Sequence, residues 1–304
     1  MARTEVGDAV ANEHRRTIRK RVLGTNLRLM RERLDLLLED AAAVLECHPA
    51  KISRIESAQS GVRPVELRAL LARYGVTDPQ DQAGWLALAR EGRRGRGVRN
   101  IDPSWPSEQL TPDLLDLIGL ESEIATCSLF QPGIVPGLLQ TEAFATAVIQ
   151  GGRTGRLDQD RRVRLRVRME RQFILTRSEP PPVDMWVVLG EAALRQQWGG
   201  PQVLAGQLAR LVEIGRMPNV TLQVLPFSTP GFPGGMLPFS IYSFPDAPQL
   251  PVVSVESLTS HAYLEDARDT AHYRRIFDEI RGIALSPAKS EALVARLADQ
   301  LSTV

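Results

Sequence analysis

The chain of 304 residues has only two cysteines, Cys47 and Cys127. No disulfide framework can be built from them, and the expected setting is a reducing cytoplasm. Histidine is scarce too: His14, His48, His261 and His272. None stands in an H-E-x-x-H pair and neither cysteine in a C-x-x-C pair, so the usual spacings of a metal site are missing. The G-x-S-x-G nucleophile elbow and the G-x-x-x-x-G-K-[ST] phosphate loop are also missing, and Ser260-His261 with Asp266 is not read as a triad. The expectation is a protein that is not an enzyme and holds no cofactor or metal. No apolar run approaches the roughly 20 residues that span a bilayer, and the first residues lack the apolar core of a secretion signal, so a soluble chain without a membrane partner is expected. An excess of charge of one sign is lacking as well, with 37 Lys+Arg against 36 Asp+Glu. That excludes a wholly basic nucleic-acid coat protein, and 43% apolar residues exclude global disorder.

The balance is local rather than uniform. Residues 1–99 hold 19 Lys+Arg and 13 Asp+Glu, or +6, which leaves 18 and 23, or −5, for the remainder. A basic first third points to an anionic partner at that end. Residues 1–16 are polar and aperiodic and read as a flexible arm, ahead of a helical domain over 17–91. Leu23, Leu27, Met30 and Leu34 form a stripe at helical spacing. Short helices fit Leu38–Glu46, with Glu39 and Asp40 in the dipole-favoured first turn, and Pro49–Glu56, with proline at the first helical position. A further helix runs from Pro64 to Tyr74, with Gly75 ending it, and another starts near Pro79 and carries Trp85, Leu88 and Ala89.

The run EGRRGRGVRN marks a linker, placed at 92–108. Beyond it, residues 109–304 alternate between helical segments and strand-like runs, the latter at 124–130, 183–190, 220–227, 239–244 and 252–257. The fold class expected is a mainly α helix-turn-helix bundle followed by a mixed α+β domain. The Arg-rich stretch 158–172 reads as a solvated helix paired to nearby acids rather than as a nucleic-acid surface.

The stretch LEDAAAVLECHPAKISRIES, residues 38–57, carries the functional signal. Two short helices flank a turn at Glu46–His48, the layout in which the second helix enters the major groove of duplex DNA. Ala42, Leu45, Ile52 and Ile55 would face inward. His48, Ala50, Lys51, Ser53 and Arg54 would face outward, with cations and a hydroxyl suited to phosphates or a guanine edge. Arg28 and Arg63 are further candidates for phosphate contact.

With its HPAKISRIESAQSG run and flanking helices, this region resembles the XRE/Cro-type family of helix-turn-helix regulators across about residues 18–90. It departs from the family pattern at Leu37 and Leu38, where a Thr-Gln pair is common, and at Glu46, where the turn usually has glycine. Glu46 would then need an unfavourable backbone conformation. Past residue 110, the segments VPGLLQTEAFATAVI and PNVTLQVLPF, among others, look like the actinobacterial, streptomycete regulators that carry a C-terminal domain of unknown function. The resemblance implies an antitoxin-like transcription regulator accompanied by a small acidic protein partner.

The expected function is sequence-specific binding of double-stranded DNA by a homodimer, nucleoid-associated when bound. The second domain would sense a small-molecule effector, bind a partner or dimerise. A pocket is expected among Trp186, on a strand-like run, and Phe227, Phe232, Phe239 and Tyr242, which surround a Gly-Pro loop. The alternative is an interaction module whose head has lost strong DNA affinity, with Leu37, Leu38 and Glu46 as its support. A small-molecule enzyme ranks third.

Overall fold

The structure is a computed structural model that describes residues 18–79, 82–86, 89, 112–151, 158–231, 237–245, 247–256 and 261–302. The expected arm, the expected linker and Phe232 lie outside the described residues.

The first domain is helical: α1 (Ile18–Arg33), α2 (Leu38–Val44), α3 (Pro49–Glu56) and α4 (Pro64–Arg73), with residues 82–86 helical as well. Apolar side chains at helical spacing put Leu23 and Leu27 of α1, Ile52 and Ile55 of α3, and Leu67, Leu70 and Leu71 of α4 into one core. Each such burial contributes roughly 1.5–3 kcal/mol. Leu34 does not complete the α1 stripe. The helix has ended at Arg33 and the chain turns through positive φ at Asp35, which leaves Leu34 exposed. Glu46 sits in the left-handed region, with φ of 48°. The turn geometry thus demands there what glycine supplies without strain. At Gly24 the need for a missing side chain comes from packing, since a Cβ would lie 2.5 Å from the Glu56 carbonyl oxygen.

The second domain contains α5 (Pro112–Glu123), β1 (Thr126–Gln131), α6 (Glu142–Gly151), α7 (Asp158–Arg171), β2 (Asp184–Gly190), α8 (Pro201–Gly215), β3 (Val220–Leu225), β4 (Phe239–Phe244), β5 (Ala247–Glu256), β6 (His261–Leu264), α9 (Ala267–Ile283) and α10 (Pro287–Ser302). The strands form one mixed sheet in the order β3-β2-β1-β4-β5-β6, parallel among the first three and antiparallel from β1 to β6. Alternation along the strands sorts its two faces. Met185, Val187 and Leu189 pack with Leu208, Leu211, Val294 and Leu297 of α8 and α10. Val188, Phe130, Phe239 and Ile241 pack on the other side with Phe277 and Ile280 of α9. The mainly α head followed by a mixed α+β domain is therefore the observed fold. In detail, Glu191–Leu194 forms one 3-10 turn after β2, and β5 begins at Ala247, five residues before its expected start. Asp266 serves as the N-cap of α9, accepting from the Arg268 amide at 2.6 Å.

The two domains touch through α1. Thr25 Oγ1 donates to Glu265 Oε2 and Asn26 Nδ2 to the Glu265 carbonyl, both at 3.3 Å. Glu265 lies between β6 and α9, so the head rests on the end of the sheet.

Candidate nucleic-acid interface

Helix α3 is placed by its apolar side and by one ion pair. Ile52 and Ile55 anchor it to the head core. Behind them, Arg31 of α1 donates from Nε to Glu56 Oε1 at 2.7 Å and from an Nη to Glu56 Oε2 at 2.9 Å. A further Arg31 N–H reaches the Leu36 carbonyl at 2.8 Å, which fixes the chain leaving α1. Both charged side chains are under one-tenth exposed, so this bidentate fork acts on a largely desolvated carboxylate. The hydrogen bond to Glu56 raises the Arg31 pKa above its ordinary value, against the opposing effect of burial.

The opposite side of α3 faces outward. Ala50, Ser53 and Arg54 are exposed, and among the described residues the Arg54 guanidinium has no protein partner. His48 is the N-cap: its Nδ1 accepts from the Ala50 amide at 3.2 Å, which leaves Nε2 facing away from the helix start. Among the described residues none covers Ala50, Ser53 or Arg54.

The remaining cations are engaged. Lys51 Nζ donates to Glu66 Oε1 at 2.8 Å, and Arg63 Nε donates to the same oxygen at 2.8 Å. The Arg63 amide takes Glu66 Oε2 at 3.1 Å. Arg28 pairs with Glu32 one turn along α1, at 2.7 Å on the exposed surface. Lys51 and Arg63 therefore meet at one buried carboxylate, whereas Arg54 stands alone. A phosphate reaching Lys51 or Arg63 must compete with Glu66.

Burial pushes the Glu66 carboxyl upward, but the Arg63 and Lys51 hydrogen bonds outweigh it and hold the pKa at about 2, against an ordinary 4.5. A carboxylate with a depressed folded-state pKa stabilises the fold above its unfolded value, and that contribution is lost as pH falls. Wild type should accordingly lose on the order of 2 kcal/mol of head stability between about pH 4.5 and pH 2 from this group. Glu66→Gln should lack that part of the acid dependence. Denaturant titrations of both proteins across this range measure it, and parallel curves would remove the linkage.

Of the aromatics expected to share a pocket, the four that are described, Trp186, Phe227, Phe239 and Tyr242, do not all come together. Phe239 and Tyr242 line one cavity of about 350 Å³. Trp186 lies elsewhere, its ring under the Arg281 guanidinium at 4.7 Å and its Nε1 donating to Gln223 at 2.7 Å. Phe227 is exposed. Trp186 stands on β2, two strands from β4, and Phe227 lies beyond the end of β3, so neither reaches the cavity beside β4.

The Arg-rich helix α7 also departs from a uniformly solvated helix. Arg166 and Glu170 do form an exposed pair at 2.7 Å. Arg171, however, turns inward and is held on both oxygens of Glu121 at 2.7 Å each. Arg168 reaches Gln140 Oε1 at 3.0 Å inside the cavity. The signal was present: Val163, Val167 and Arg171 repeat every four residues, so Arg171 continues the apolar stripe. No such periodicity marked Arg31 or Glu56, which meet across 25 positions of sequence.

Among the described residues, no group of three or more potential ligands is arranged to hold a metal ion, and no helix is long and apolar enough to cross a membrane.

Neither the curated proteins nor the solved structures contain a match to this sequence. Residues 22–83 match a helix-turn-helix domain family, which covers α1 from Val22 onward through α4 and identifies the head as a DNA-binding domain of a regulator. Residues 114–296 match a domain of unknown function, DUF5753, a span that takes in the entire sheet and all but the last six residues of α10. The chain, over the greater part of its length, belongs to the DUF5753 family and carries a helix-turn-helix domain ahead of it.

Proposed function

We propose that the protein is a sequence-specific transcription regulator of the XRE/Cro type that presents α3 to the major groove. The observation that carries this reading is the outward side of α3, where exposed Ala50, Ser53 and unpaired Arg54 stand on a helix braced from behind by Ile52, Ile55 and the Arg31–Glu56 pair. A groove about 12 Å wide admits one helix with such side chains. Arg54 is the candidate for reading a guanine edge. His48 and Ser53 suit the flanking phosphates, and Lys51 and Arg63 contribute where a phosphate displaces Glu66.

An eight-residue helix reads few base pairs, so a homodimer on two half-sites is the economical arrangement. The half-sites would lie about 34 Å apart or at a multiple of that. The second domain would then sense an effector, hold the small acidic partner, or pair the chains.

Arg54→Ala should weaken operator binding by about 1–3 kcal/mol and relax specificity at one position. Lys51→Ala should cost less, because Glu66 already engages that cation. Affinity should also fall steeply with salt as phosphate neutralisation releases counterions. Footprinting followed by gel shift of both variants tests this, and wild-type affinity in the double variant would take α3 out of the interface. The engagement of Lys51 and Arg63 by Glu66 is the observation that favours the second reading, an antitoxin-like module with weak DNA binding. Absence of DNA retention at low salt, together with capture of a small acidic protein, would select it.

A further inference from the structure

The cavity of about 350 Å³ in the second domain has a charge arrangement that packing alone does not explain. Its size lies at the lower end of the range of small-molecule sites, roughly 300–1,000 Å³. Leu117, Ile134, Leu138 and Val148 give it apolar walls. Two guanidiniums line it, from Arg168 and Arg171 on one face of α7.

Their situations differ. Arg171 is closed: both oxygens of Glu121, itself buried, are bound to it. Arg168 is open. It makes one hydrogen bond, at 3.0 Å to the neutral Gln140 Oε1, and no ion pair within 4 Å among the described residues. Gln140 is held in place by its own donation to the Val135 carbonyl at 2.7 Å, so the amide oxygen is a fixed guide for the guanidinium rather than a counter-charge. Glu256, exposed at the edge of the cavity, is the carboxylate whose field reaches Arg168. A half-buried cation with spare N–H donors facing a cavity is costly unless something anionic completes it. The side chain shows that cost: burial, with Arg171 close by, pushes its pKa down to about 10 against the opposing pull of Glu256.

We propose that this cavity binds a small organic anion, with Arg168 receiving the oxyanion and Leu117, Ile134, Leu138 and Val148 enclosing an apolar body. This gives a ligand class to the sensing role suggested for the second domain, and it deepens that reading without depending on DNA binding. Carboxylates and phosphate monoesters share the oxyanion that Arg168 would take. The neutral Gln140 beside it and the fully used Arg171 select for a single anionic group rather than two.

Calorimetric titration of the full chain in the absence of DNA tests the site with four probes: octanoate, octyl phosphate, octanamide and inorganic phosphate. Octanoate or octyl phosphate should bind at least tenfold more tightly than octanamide, which has the same tail without the charge, and than inorganic phosphate, which has the charge without the tail. Whichever of the two binds better identifies the head group. Arg168→Gln should lose at least tenfold in affinity for that probe with the wild-type circular dichroism spectrum retained. If that variant does not fold, the wild-type comparison of octanoate and octyl phosphate with octanamide decides. Equal binding of charged and neutral tails, undiminished binding by Arg168→Gln, or no binding of any probe at millimolar concentration would overturn the proposal. A protein that binds the probe but fails the operator assays loses the regulator reading and keeps this one.

Discussion

Glu56→Ala should destabilise the head by about 3–5 kcal/mol, the cost of leaving a buried guanidinium without its partner. Arg31 is under one-tenth exposed and has placed two donors on that carboxylate, so truncation leaves it only the more exposed Glu32, whose Oε1 lies 3.7 Å from an Arg31 Nη. The loss would fall on the junction between α1 and α3, which also lacks room for a side chain at Gly24. Hydrogen exchange is the suitable readout: amides of α1 and α3 should lose protection while those of the sheet keep it. The double substitution Arg31→Met with Glu56→Leu should be milder than Glu56→Ala alone, since removing both charges leaves none stranded. A single variant as stable as wild type would mean that the pair contributes little to the head.

The second large effect is expected at the same kind of contact in the other domain. Glu121→Ala should cost about 3–5 kcal/mol there, because Arg171 would remain buried with no carboxylate and with Arg168 as a like-charged neighbour. Glu121 is 2% exposed, and its two oxygens engage Arg171 alone. Burial depresses the Arg171 pKa, and Glu121 more than reverses that. Hydrogen exchange should report loss of protection in α5, α7 and β1 with the head unaffected. Loss of protection in both domains at once would instead show that they unfold as one unit.

The parts of the molecule that sequence made legible are those that depend on local spacing. Leu67, Leu70 and Leu71 of α4 and Tyr74 at its C-cap recur at helical intervals and are all buried. Gly75, at φ of 83°, ends that helix as expected. The strands show the same: runs of β-branched and aromatic residues mark β2, β3 and β4 closely. β6 was missed because four residues, His261–Leu264, are too short for a period to register. Long-range polar contacts carry no spacing at all. Lys51 on α3 looks outward by helical periodicity, yet a carboxylate 15 positions later draws it aside. The expected aromatic pocket differs for a related reason: the cavity is walled by segments from residue 114 to residue 256 and takes in Phe239 and Tyr242 but neither Trp186 nor Phe227.

The contact between Glu265 and α1 gives the molecule a shared boundary with a thermodynamic consequence. Glu256, at the mouth of the cavity, pairs in the β5–β6 hairpin with His261, and the same strand runs on to the residue that holds Thr25 and Asn26. A displacement of that hairpin would bear on the helix that braces α3 through Thr25 and Asn26. Whatever free energy passes along this route must act equally in both directions, so an operator that alters the grip on α1 would retune the affinity of the cavity by the same factor by which its occupant retunes the affinity for the operator.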